Sequence, residues 1–151
     1  METLFEAGVR FPVLHLLPDW VSFCPNEANL SKGLVRGRAK LGEPYKKAEG
    51  VRFVDQTGKV FVVAEATVIE DKGLFFEGLF WRVLDWFGAA NRVVTTKLLV
   101  EYSGTLDFDH LRAIVIPALE NAVRVIGDQR KRDLRKAKAA RTVPQLIAAA
   151  E

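Results

Sequence analysis

A chain of 151 residues with 49% apolar residues, one cysteine and a formal net charge of +3 is long enough to fill one core, and it excludes an intramolecular disulfide. The start Met-Glu-Thr-Leu-Phe-Glu lacks the basic and apolar regions of a secretory leader, so a cytoplasmic address is expected, and no stretch approaches the roughly 18 uninterrupted apolar residues of a spanning helix. The charge is unevenly divided: residues 32–47 hold six basic side chains against Glu43, and residues 129–151 hold seven against Asp133 and Glu151. An acidic body with two basic patches results, which suits solubility first and an anionic partner second.

In chain order, residues 1–31 predict little more than a short strand or extended segment, since Pro12, Pro18 and Pro25 interrupt the apolar run Val9–Leu17. Residues 31–50 scatter Gly33, Gly37, Gly42, Pro44 and Gly50 among lysines and arginines and predict a long basic loop, with one short strand around Leu34–Leu41. Val51–Asp55, the turn Gln56-Thr57-Gly58 and Lys59–Glu70 predict a β-hairpin. Its second strand is apolar on both faces near Val60 and should therefore be covered on both sides.

The segment Leu74–Phe87, LFFEGLFWRVLDWF, holds four of the ten phenylalanines and two of the three tryptophans. At about 100° per residue, Phe75, Phe76, Leu79, Phe80, Val83, Leu84, Trp86 and Phe87 fall on one arc of a helix, opposite Glu77, Gly78, Arg82 and Asp85. Trp81 projects from the polar side. Gly88 suits the position that ends the helix, Asp71 is a candidate cap at its start, and the apolar arc is expected to be covered by the sheet.

Arg92–Leu106 alternates as a half-buried strand, with Val94, Leu98, Val100 and Tyr102 on one face. From Asp109, taken as N-cap, Leu111, Ile114, Val115, Ala118, Leu119, Ala122, Val125 and Ile126 build a second amphipathic helix that Gly127 closes. Pro117 at mid-length predicts a kink or a break. Asp128–Arg141 is rich in helix formers but has only Leu134 as a bulky apolar residue, so it predicts an exposed or fraying basic helix before the small apolar piece Val143–Ala150. The fold class is α+β: a small antiparallel sheet packed against two amphipathic helices, in one domain over 1–128 with a basic helical extension over 129–151.

Chemistry is sparse. His15 lies in an apolar run and His110 in the first turn of a helix, and Cys24 has no base near it in sequence. Asp107-Phe108-Asp109-His110 is explained by helix capping more simply than by a metal, and one cysteine with two distant histidines gives no zinc set. Glu65, within the doubly apolar strand, is the best single candidate for an acid or base if it is buried with a shifted pKa, and it is equally able to point to an exposed edge or to pair with Arg52. Gly33–Gly37 lacks the spacing of a phosphate-binding loop, and no cofactor is implied.

Two surfaces remain. One is the aromatic helix, whose Trp81 side, with Glu77, Arg82 and Asp85, is the expected contact surface of a non-catalytic interaction protein, a homodimer or a subunit of a complex. Its polar side carries two acids and only Arg82, which disfavours membrane insertion. The other is basic: Lys32, Arg36, Arg38, Lys40, Lys46 and Lys47 in the loop, with Arg130, Lys131, Arg132, Arg135, Lys136, Lys138 and Arg141 in the tail, is the surface of an alternative nucleic-acid-binding accessory protein. Aromatic residues are not interleaved with it, apart from Tyr45. A small ligand-binding domain or enzyme with an aromatic pocket, approached by Glu65 or Tyr102, is the third class.

Overall fold

Alternating apolar side chains on neighbouring strands point to both sides of one sheet, and each side has its own core. Leu14, Val54 and Val60 belong to one, and Val13, Phe53 and Phe61 to the other. The structure, a computed structural model, describes residues 1–151. It is an α+β fold built on a seven-stranded antiparallel sheet. Strands β1 (Glu2–Thr3), β2 (Val13–Leu17), β3 (Trp20–Cys24), β4 (Lys32–Arg36), β5 (Arg52–Asp55), β6 (Lys59–Leu74) and β7 (Asn91–Thr105) run in the order β1-β7-β6-β5-β2-β3, with β4 also paired to β7. A short helix α1 (Glu27–Leu30) links β3 to β4.

That link shows that the sheet curls. In a flat sheet β3 and β4 would stand about 24 Å apart, at about 4.8 Å per strand step, and a connection with four of its residues in a helix cannot bridge that distance. Leu30, Cys24 and Leu98 share one cluster with the stacked Phe53 and Phe61 rings, whose centroids lie 5.5 Å apart. The residues before β2 and the loop between β4 and β5 close this hollow, contributing Val9, Phe11, Tyr45 and Ala48.

The predicted hairpin is present as β5 and β6, and β6 is central and covered on both sides as its composition requires. It is longer than the sequence suggests. Asp71-Lys72-Gly73 is not a turn: the strand continues to Leu74 through register shifts, the last between Asp71 and Gly73. An earlier shift between Val63 and Glu65 inverts the alternation, so that Phe61 and Val63 but then Ala66 and Val68 are buried, and Glu65 turns to solvent.

The other core is covered by α3 (Phe108–Ile126), α4 (Lys131–Ala139) and α5 (Val143–Ala148). Leu111, Val115, Ala118, Leu119 and Ala122 of α3 are buried as predicted, whereas Val125 and Ile126 are exposed. The N-cap is Asp107 rather than Asp109: its carboxylate accepts from the His110 amide at 2.8 Å. Helix α3 runs unbroken through Pro117, which sits on its exposed side where the carbonyl left without a donor faces water. The C-terminal segment is no fraying tail. Ala137, Leu146 and Ile147 are fully buried among residues of α3 and the sheet, so residues 129–151 pack into the same core instead of extending from it.

Candidate interaction surface

Helix α2 (Leu79–Trp86) crosses the end of the β6–β7 ribbon and is shorter than the predicted Leu74–Phe87. Leu74 still belongs to β6, and Gly78, at φ 119°, separates the helix from a bend at Phe75-Phe76 followed by Glu77. At the other end the Gly88 amide donates to the Asp85 carbonyl and the Ala89 amide to the Leu84 carbonyl, both left-over acceptors of the last turn, with Gly88 at φ 68°. Eight residues without a side-chain N-cap are too few for a stable isolated helix, so tertiary contacts must hold α2 in place.

Those contacts are polar. Arg92, at the start of β7, donates from Nε to Asp71 Oδ2 at 2.9 Å and from Nη1 to both Asp85 oxygens at 2.8 Å. All three side chains are mostly buried, at 16–19% exposure. Burial works to raise the Asp71 carboxyl, but the Gly73 amide and the Arg92 guanidinium outweigh it and hold the group below its ordinary range. Asp71, expected as a helix cap, is thus one anchor of α2 and Asp85 the other.

Anchored through its polar side, α2 turns its apolar arc outward. No residue of the helix is buried; Leu79 is 79% exposed, Phe80 65%, Trp86 84% and Phe87 76%. The expectation that the sheet covers this arc is therefore corrected: of its members within the helix only Leu84 is partly buried, and the others face solvent. Trp81 differs from its neighbours. Phe76, freed from the helix, folds back and stacks on it at 4.7 Å, with Phe80 edge-on at 5.3 Å, leaving Trp81 only partly exposed. Glu77 and Arg82 are exposed beside the arc.

The basic segment lies next to this end. Gly37 donates its amide to the Ala90 carbonyl and approaches the Gly88 carbonyl so closely that a Cβ would stand 3.0 Å from it, which places Arg36 and Arg38 against the exit of α2. Lys32, Lys47, Tyr45 and Phe75 share one open depression of about 410 Å³. Lys40 and Lys46 pair with Glu43 and Glu49, whereas Arg36 and Arg38 have no ion-pair partner. The tail cations are elsewhere: Arg130 pairs with Asp133, Lys131 with Asp128 and Lys138 with Glu120, while Arg132, Arg135 and Lys136 are exposed on α4. Because α4 packs on one side of the sheet and Tyr45 and Ala48 on the other, the two basic segments occupy opposite faces.

The remaining candidates do not converge. Glu65 and Tyr102 are exposed, and Tyr102 bonds Thr105 at 2.8 Å. His15, between Ser22 and Phe53, is partly buried, which lowers its pKa, and burial raises that of the Cys24 thiol. Asp107 and His110 form an exposed pair at 2.8 Å, the His110 amide and ring holding the carboxyl low. Asp55 is a buried acid that the sequence did not single out, although the Asp-Gln-Thr-Gly turn could have shown it: its carboxylate accepts from the Arg10, Thr57 and Lys59 amides and the Thr57 hydroxyl. No group of three His, Cys, Asp or Glu side chains is placed to hold a metal ion, and no helix is long and apolar enough to cross a membrane. Comparison with protein-family models, curated proteins and solved structures finds no match for this chain.

Proposed function

We propose that this is a non-catalytic interaction protein that self-associates through the aromatic face of α2. The observation that carries the proposal is the exposure of Phe75, Phe76, Leu79, Phe80, Val83, Trp86 and Phe87 together on one end of the molecule. With roughly 150–250 Å² available per large aromatic side chain, the patch presents about 800 Å², which equals one side of a standard protein interface. The largest apolar patch of a typical monomer is only about 300–600 Å². Two copies of α2 packed face to face bury it, with Glu77 and Arg82 as the charged rim and Trp81 and Asp85 as the support beneath. The nucleic-acid alternative loses support from the placement of loop and tail on opposite faces, since they offer no single groove. The pocket alternative loses support because Glu65 and Tyr102, the groups expected to approach a pocket, are both exposed.

Light scattering on the full chain tests the proposal. At about 50 μM the expected mass is twice that of the chain, and Trp86→Ser with Leu79→Ser returns it to one chain with an unchanged circular dichroism spectrum. A monomeric unaltered chain overturns it.

A further inference from the structure

We infer that the α2 end docks on an anionic lipid bilayer surface, the membrane replacing the second copy over the same aromatic face. The inference rests on the assignment of α2 as the contact surface and adds the partner. Three observations carry it. The most exposed side chains of this segment, Leu79, Trp86 and Phe87, sit on a helix and its C-cap at the end of a ribbon, so they can enter a headgroup layer without any opening of the fold. Leucine, phenylalanine and tryptophan are the residues that partition into that layer. The tip is also surrounded by cations that the fold leaves unneutralised.

Those cations come from tertiary structure, which is why the helix sequence alone argues against a membrane. Of the two acids on its polar side, Asp85 is consumed by Arg92, and only Glu77 remains. Lys32, Arg36, Arg38, Lys47 and Arg82 have no ion-pair partner. Lys32 and Lys47 line the depression beside Phe75, and Arg36 and Arg38 flank the Gly37 that touches the end of α2. A ring of this kind complements phosphate headgroups, each cation near an anionic surface contributing about five-fold in affinity. It also works against a second copy, because two-fold pairing brings two segments of net charge +5 toward each other. In water a second copy covers the apolar face against this repulsion, whereas the bilayer satisfies both the apolar face and its cationic surround. An eight-residue helix lying in the interface gives reversible attachment.

Vesicle flotation of the full chain in about 100 mM salt, with pure phosphatidylcholine or with about 30% phosphatidylglycerol, tests the inference. The expected result is binding to the anionic vesicles with a blue shift of tryptophan fluorescence, and at least ten-fold weaker binding to phosphatidylcholine. Trp86→Ser with Phe87→Ser should remove binding to both. Arg36→Ser with Arg38→Ser should weaken the anionic binding more than ten-fold while leaving the dimer intact. A chain that dimerises but does not float with anionic vesicles, or that floats equally with both, overturns the lipid assignment and leaves self-association standing. A chain that is monomeric in water but floats with anionic vesicles overturns self-association and leaves the lipid assignment standing.

Discussion

Arg92 joins a strand to a helix that has no other strong anchor, so its loss is expected to cost more than its position near the surface suggests. Arg92→Ala leaves Asp71 and Asp85 largely buried and facing each other, which should destabilise the chain by about 2 kcal/mol in urea unfolding. Arg92→Lys should recover little, because one ammonium cannot serve both carboxylates. The Asp71 carboxyl is lower in the fold than its ordinary 3.8, so its contribution is complete above that value and is lost as the pH falls through the lowered one. His15 acts in a higher window. Its folded pKa lies below the ordinary 6.5, so the unfolded chain binds the proton first and stability declines as the pH drops below about 6.5. The urea midpoint should fall between pH 7.5 and pH 5.5, and His15→Gln should make that fall smaller; an identical fall in both proteins contradicts the burial of His15 as its cause.

At the scale of the element, α2 is an amphipathic helix whose apolar side is not a core side. Serine at Leu79 or Phe80 should change the unfolding free energy of the monomer by less than about 0.5 kcal/mol, whereas Phe53→Ala, inside the curled sheet, should cost about 3–5 kcal/mol. A large loss for the α2 variants under monomeric conditions would show that the helix packs on its own chain. Periodicity in the sequence revealed that the helix exists and has an apolar arc, because spacing alone determines both. It could not reveal which side faces the protein, because that depends on Arg92 reaching Asp85 across seven positions of chain. Nor could it locate the start, since Phe75 and Phe76 fit the arc but lie beyond Gly78, which takes a backbone conformation that ends the helix. The same limit left the direction of Glu65 undecided between a buried and an exposed position, because a bulge in β6 inverts an alternation that the residue types leave unmarked.

Over the whole molecule, the α+β class and the β5–β6 hairpin, β7 and α3 were legible, because each combines a periodic apolar pattern with a turn or cap residue. The C-terminal quarter was not. Asp128–Arg141 has so few bulky apolar residues that it suggests a solvated tail, yet small alanines let α4 and α5 approach closely, and Leu146 and Ile147 complete the core beside Leu14. Leu146→Ala should accordingly cost about 2–5 kcal/mol, and a chain ending at Gly127 should fail to unfold cooperatively. The aromatic segment was legible as a candidate surface, but not how far each of its side chains is exposed: Trp86, Leu79 and Phe80 face solvent, and Trp81 is partly covered; that β4 lies beside it became visible only once β4 was paired with β7. The most direct measurement of the central claim is amide hydrogen exchange across residues 79–89 as a function of protein concentration. Protection of α2 that rises with concentration, while β6 and β7 stay unchanged, is the result expected of a face covered by a second copy. Exchange in α2 that stays fast and independent of concentration would contradict it.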